Sequence, residues 1–324
     1  MVKAFGLLSG GLDSSLAAVC LKKQGIHVTC IAFVTPFFGS AKAEHMAQMI
    51  DVPLMIKDIS DVHLNMVKAP RYGYGKNMNP CIDCHAMMFR LAGNIMNDQD
   101  FEFLFSGEVL GQRPMSQNAN ALRSVANFSG HPERILRPLS AKLLPVTKME
   151  EQGLVDRDLL LDIQGRSRKR QEALAKEWGL VDYPSSGGGC LLTEKHFSDR
   201  LRDLIVHEPD CSVNDVELLK IGRQFRLSDH SKLVLGRHQE DNEGIEARHS
   251  AGQTLLRTPG VPGPLGLVSG VPSTEDIELA GAILASYGKG KDQQTVKVLA
   301  LNSDGEKTFV VKPMPRCETM KKIV

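Results

Sequence analysis

Ser9-Gly-Gly-Leu-Asp-Ser-Ser15 decides how this chain is read, because it closes the apolar run Val2 to Leu8 and opens the helix-like segment Leu16 to Gln24. Strand, glycine-rich turn and helix N-terminus in that order build a phosphate site. Gly10 and Gly11 let the backbone approach an anion, Ser9, Ser14 and Ser15 add hydroxyl donors, and the first unpaired helix N–H groups point at the charge. The ligand expected is a nucleotide phosphate. Two glycines alone would fit an ordinary turn capped by Asp13 or Ser14, but the seven-residue string is far more selective.

Working outward, Val2–Leu8, His27–Phe33, Leu54–Ile59 and Phe101–Phe105 read as strands, with helices expected around 13–24, 41–50 and 82–97. Such alternation predicts a parallel sheet covered on both faces, with ligands at the strand C-termini, where Ser9, Phe33 and Ser106 fall. The Pro/Gly-rich passage Tyr183 to Cys190 closes this region. Helices are expected near 195–206 and 213–219, then strand-like alternation from about 221, a helix near 275–287 and a hairpin with a turn at Asp304-Gly305. The domains are placed at 1–210 and 211–324, the second smaller and α+β.

The 324 residues, 42% of them hydrophobic, can bury two cores. No apolar run is long enough to span a bilayer, and the N-terminus enters a core-like strand without a charged leader, so a soluble cytoplasmic protein with no membrane partner is expected. Seven cysteines without a secretion signal suggest thiols used as ligands or nucleophiles. With a formal net charge of +1, a nucleic-acid partner would have to be met by a local basic surface. Gly165–Gln171, GRSRKRQ, is the candidate: Arg166, Arg168, Lys169 and Arg170 could grip RNA phosphates or form a solvated helix face.

The second chemical signal is Asn79-Pro-Cys-Ile-Asp-Cys-His85. Two thiolates three residues apart at a helix start suit a metal, a cluster or a redox pair. CxxCH also fits haem attachment, which the missing export signal disfavours, and zinc would want more ligands than one CxxC supplies. Cys190, on the flexible SSGGGC loop, is the remaining partner. Cys81, Cys84 and Cys190 could hold a 4Fe-4S cluster with one open iron, or pass sulfur as a persulfide. Cys20 and Cys30 read as core, and Cys211 and Cys317 have no partner pattern.

SGGLDSS resembles the PP-loop of the N-type ATP pyrophosphatases, whose Rossmann-like adenine nucleotide alpha hydrolase fold cleaves ATP between its α and β phosphates. The resemblance implies ATP held by Ser9, Gly10, Gly11, Asp13, Ser14 and Ser15, with Asp13 catalytic and Mg2+ bridging the phosphates. Ser106-Gly-Glu-Val-Leu-Gly-Gln-Arg-Pro-Met-Ser-Gln117 and Ile135-Leu-Arg-Pro-Leu139 are similar to the second signature of the tRNA 4-thiouridine synthetases. NPCIDC with the SGGGC loop is similar to the cysteine pair of the tRNA 2-thiouridylases. Together they imply that Gly107, Glu108 and Gln112 line the nucleotide or uridine pocket, to which the switch-point rule adds Phe33, that Cys190, Cys81 and Cys84 are catalytic or cluster-ligating, and that tRNA is the substrate.

A guanidinium at Arg113 would stabilise charge as pyrophosphate leaves. The synthetase family carries a tRNA-gripping domain ahead of the PP-loop, and here Ile221–Gly270 resembles instead the RNA-binding domain of ribosome-quality-control proteins. That resemblance implies phosphate contacts from Arg223, Arg226, Lys232 and Arg237. The expected activity is an ATP-dependent tRNA sulfurtransferase fed by a persulfide carrier or sulfide, and a homodimer is compatible with it. An amidating PP-loop ligase and an RNA-binding, nucleotide-switched module are the alternatives.

Overall fold

β1 (Lys3–Leu7) is the centre of a parallel sheet because its apolar residues have a partner on either side. In this computed structural model, which describes residues 1–185 and 189–324, β1 pairs with β2 (His27–Val34) and with β4 (Phe103–Ser106). β3 (Leu54–Asp58) and the short β5 (Ile135–Leu136) extend the edges, giving the order β3-β2-β1-β4-β5. The chain leaves β1 toward β2 and returns to its other side at β4, so the crevice above β1 and β4 is the switch point where such sheets bind ligands.

Both faces are covered, which is why these strands read as continuous apolar runs. Successive side chains alternate between two cores. Ala4, Cys30, Ala32, Phe103 and Phe105 face one core with α1 (Leu12–Lys22) and α2 (Ala41–Met49). Phe5, Ile31, Phe33 and Leu104 face the other, with α4 (Cys81–Asp98) and α5 (Ala119–Ser129). Sequence periodicity missed α3 (Ser60–Lys68), whose inward His63 breaks its apolar stripe, and α5, which is capped by Asn118 and closed by Gly130 at φ 79°. The short α6 (Lys148–Glu151) and α7 (Lys169–Glu177) complete this unit.

The chain divides into Met1–Thr193 and Glu194–Val324, before α8 (Lys195–His207) and not near residue 210. The helix belongs to the second unit because its Asp203 is paired with Arg226 through Oδ2 at 2.5 Å. α9 (Val213–Leu218) then leads into a six-stranded antiparallel sheet. Its strands are β6 (Arg223–Ser228), β7 (Ser231–Leu235), β8 (Thr254–Arg257), β9 (Gly266–Gly270), β10 (Val296–Asn302) and β11 (Gly305–Val311), in the order β11-β10-β8-β9-β7-β6. α10 (Gln239–Ala247), α11 (Thr274–Tyr287) and α12 (Arg316–Thr319) accompany it, and α11 starts with a Ser273–Asp276 capping box. Among the described residues no helix is long and apolar enough to cross a membrane.

Gly107 tests the switch-point packing. A Cβ there would lie 2.3 Å from the Ser14 nitrogen and 2.4 Å from the Asp13 carbonyl carbon, both rigid backbone. Gly107→Ala should cost roughly 1–3 kcal/mol, read as a lower urea midpoint; an unchanged midpoint would contradict this packing.

Candidate nucleotide and sulfur site

The nucleotide site is built by backbone. Gly10 adopts φ +75°, and a Cβ on it would sit 2.3 Å from the Lys42 carbonyl carbon, so the start of α2 presses directly on the loop. Gly11 is the N-cap of α1 and no side chain among the described residues caps that helix, which leaves first-turn N–H groups for an anion. Ser14 and Ser15 donate to the Gly11 carbonyl at 2.8 and 3.2 Å, and the Ser9 and Ser14 hydroxyls lie 3.3 Å apart. The loop is thus held in shape by its own hydroxyls.

Asp13 is gripped from two distant segments. Gln112 Nε2 donates to its Oδ2 at 2.8 Å, and the Arg168 guanidinium lies 3.6 Å from the same oxygen. Gln171 in turn donates to Gln112 at 3.3 Å. Asp13 Oδ1, Arg168 Nε and Gln171 Oε1 are buried without a partner among the described residues, so one carboxylate oxygen and one guanidinium N–H await a ligand. A hard cation suits that oxygen, and the residues therefore fit Mg2+ delivered with ATP.

Several sequence expectations change here. Arg168 faces Asp13 and not an RNA surface, while Arg170 is engaged by exposed Asp162 at 2.6 Å. Arg166 and Lys169 remain exposed around the start of α7. Phe33 is 5% exposed among Ile31, Ile59 and Met87, so its ring serves the core and does not line the pocket. Arg113 acts on Cys81 by its charge, which makes it a cation of the thiol site.

α4 opens on the two thiols. The Cys190 segment returns to them because its backbone is pinned: Leu191 N donates to the Phe37 carbonyl at 3.0 Å, Met78 N to that of Leu192 at 3.3 Å, and Asn77 Nδ2 to that of Thr193 at 2.7 Å. Ser186, Gly187 and Gly188 of the SSGGGC loop lie outside the described residues. Cys84 is pushed well above the usual thiol range by burial first, then by the negative charge that Cys190, Cys81 and Asp83 would carry beside it. Burial also raises Cys81, but the Arg113 charge and donors from Asn79 and Ser116 oppose it. Cys81 is therefore the readier nucleophile of the pair. Cys20 and Cys30, driven by burial to about 11 and about 12, are core residues.

Two residues escaped the sequence reading. His63, 0% exposed, places Nε2 3.3 Å from Cys84 Sγ between the rings of Phe37 and Phe38, and burial lowers it to about 4, so it stays neutral. A lone His at apolar spacing gave no signal. Lys42 bridges the two sites: its backbone meets Gly10, and its amine comes 3.9 Å from where a Cβ on Gly189 would lie. Its position at the start of α2, after the C-terminal end of β2, was the available clue.

Beneath both sites lies a buried ion network. Glu108 accepts from His85 Nδ1 at 2.7 Å and from Arg137 Nε at 2.9 Å. Burial alone would raise the carboxyl, but Arg137 and His85 together hold it at about 2. His85 is thus turned to Glu108, and its ring joins α4 to the end of β4. As a cluster site, the three cysteines offer the right donor atoms. Their spacing does not complete the set, for among the described residues no group of three or more His, Cys, Asp or Glu could hold a metal ion.

In the second unit Arg226 and Lys232 are turned inward. Arg226 is bound to Asp203, and Lys232 is 3% exposed, its ammonium near Glu208 and Asp203, so neither can meet RNA phosphate. Arg237 is paired with Asp241 at 2.8 Å.

Residues 2–142 match the model of the thiamine biosynthesis protein (ThiI) family. Residues 222–323 match the NFACT protein RNA binding domain. The tRNA-specific 2-thiouridylase MnmA of Methylobacterium radiotolerans is 26% identical over 252 residues, 71% of this chain and 59% of the relative. A probable tRNA sulfurtransferase of Finegoldia magna is 33% identical over 42% of this chain and 35% of its own length. The chain therefore spans 59% and 35% of the lengths of these two relatives. A 4-thiouridine synthetase–RNA complex with bound ATP superposes at a TM-score of 0.34 with 21% identity, covering 67% of this chain and 52% of that one.

The first unit yields two expected outcomes. Iodoacetamide at pH 8 should label exposed Cys317 first, then Cys81, then Cys84, with both α4 thiols labelling faster as pH rises; Cys84 ahead of Cys81 would contradict the charge assignment. Because Glu108 is held at about 2 instead of 4.5, its contribution, on the order of 3 kcal/mol, is fully present above pH 4.5 and lost as pH falls toward 2. Glu108→Gln should cost about 3–5 kcal/mol at neutral pH by stranding Arg137, and should flatten that acid limb in urea titrations. An acid limb of unchanged slope would show that the network titrates otherwise.

Proposed function

We propose that this chain is an ATP-dependent tRNA sulfurtransferase. The observation that carries the reading is the return of the Cys190 segment to the Cys81/Cys84 helix start, next to Lys42, whose backbone touches the nucleotide loop. One unit thus presents an activating site and a sulfur-carrying site to the same substrate atom.

The loop N–H groups and hydroxyls from Ser9 to Ser15 hold the triphosphate, Asp13 would hold magnesium brought with ATP, and that ion would spread the phosphate charge. A uridine carbonyl oxygen attacks the α-phosphate and pyrophosphate departs. Arg168, released from Asp13 toward the phosphates, stabilises the charge that develops. A persulfide sulfur on Cys190 then attacks the activated carbon and AMP leaves with the former carbonyl oxygen. Cys81 thiolate attacks the Cys190 sulfur, which forms a disulfide and frees the thiouridine; an external thiol reduces the pair. His63, neutral beside Cys84, holds that thiol in place.

A tRNA substrate suits work in the cytoplasm. The second unit, similar to an RNA-binding domain, supplies the grip on tRNA.

Anaerobically purified protein, given ATP, unmodified tRNA, a persulfide donor and a thiol reductant, should form AMP and thiouridine in equal amounts, detected by nucleoside mass spectrometry. Cys190→Ala should abolish thiouridine; AMP formed without any thiouridine from the wild type would overturn the proposal. A brown colour lost in Cys81→Ala would move sulfur transfer from the thiols to an iron centre. Arg168→Ala should slow AMP formation about 100-fold with tRNA affinity unchanged, whereas a loss confined to tRNA binding would return Arg168 to the RNA surface.

A further inference from the structure

The cations of the second unit sort into two groups by whether a carboxylate already holds them. Arg226 is held by Asp203 and Arg237 by Asp241. Arg223, Lys289, Lys291 and Arg316 have no carboxylate partner among the described residues, and all four line one cleft of about 540 Å3. Its described lining contains no Asp or Glu. Four uncompensated positive charges around one concavity make a site for anions, and its volume is within the roughly 300–1,000 Å3 of small-molecule sites.

The cleft is also built for flat groups. The Tyr287 ring lies 4.8 Å from the guanidinium carbon of Arg223 and 5.7 Å from that of Arg316. Behind it Phe225, fully buried, packs with a ring-centroid distance of 5.9 Å, so the tyrosine is anchored. A guanidinium held against an anchored ring keeps its other face available for stacking, at little further cost in side-chain entropy. One wall is nearly bare of side chains: Lys289 N donates to the Pro262 carbonyl at 2.9 Å, and Gly263 and Gly288 approach so closely that a Cβ on either would lie 3.4 Å from the other's Cα.

We infer that this cleft binds a nucleotide of a single-stranded RNA segment, its base stacked on the Arg223–Tyr287 platform and its phosphates met by Lys289, Lys291 and Arg316. Duplex RNA presents its phosphates on a convex rod with bases stacked inside, which a narrow cleft cannot read, whereas an unstacked nucleotide enters it. The inference rests on the RNA-binding part of the function proposed above and adds where, and in what form, the RNA is held.

Fluorescence anisotropy of the full chain with a labelled single-stranded RNA octamer, and with the same sequence as a duplex, tests it. Lys289→Glu/Lys291→Glu, two changes at exposed positions, should weaken single-strand binding at least tenfold and lower the slope of log K against log salt by about 1.4, at about 0.7 for each phosphate no longer neutralised. Tyr287→Phe should bind as the wild type, and Arg223→Gln should bind about tenfold more weakly. Equal affinity of the charge-reversed and wild-type proteins would overturn the inference. So would displacement by inorganic phosphate or by an acidic peptide at the concentrations that RNA needs, which would make the occupant a free anion or a protein. The assay reads capture alone, so thiolation that fails while capture is lost in these variants overturns the activity and not this site.

Discussion

At the crevice above β1 and β4 two backbones come closer than any side chain permits. Gly107 lies against the Asp13–Ser14 peptide, and Gly10 lies against Lys42 and Ala43. These approaches fix where the helix N-terminus of α1 points, and with it where a triphosphate can sit. The segment that supplies Gly107 goes on to supply Gln112, which holds Asp13, and the chain later sends Arg168 to the same carboxylate. The nucleotide site is therefore a convergence of three separate segments on one loop, held by packing that tolerates only glycine.

The same short stretch carries the link to sulfur. Glu108 follows Gly107 and binds His85, one residue beyond Cys84, while Arg137 compensates its charge from the far side. A desolvated carboxylate that loses its guanidinium partner costs several kcal/mol, and the bond to His85 ties α4 to the end of β4, so their register is fixed. Fixing that register fixes the thiols relative to the phosphate loop. The Cys190 segment is held on the other side by backbone bonds to Phe37, Met78 and Asn77, which need no particular side-chain sequence beyond the amide at Asn77.

Much of the frame could be read directly. β1, the glycine turn and α1 follow from an apolar run broken by Gly-Gly, and parallel pairing follows from strands apolar on both faces. α3 stayed hidden because His63 occupies a core position, and β8 because four residues between polar turns carry too short a pattern. In the site, SGGLDSS and CIDC could be read locally, but the partner of Asp13 could not. GRSRKR reads as one basic patch, and only the fold separates Arg168, turned to Asp13, from Arg170, turned to Asp162. Lys232 shows the same limit: alternation places it on a strand, but whether its ammonium meets solvent or Glu208 depends on where the C-terminal end of α8 lies, distant in sequence.

The central claim is that Cys190 lies beside Cys81 and Cys84 in the folded chain. Brief oxidation of the native protein with diamide, followed by peptide mapping without reduction, tests it directly. The account predicts an intramolecular disulfide from Cys190 to Cys81 or Cys84, formed before any link to exposed Cys317. Cys190 recovered as a thiol, or joined only to Cys317 or to another molecule, would contradict it.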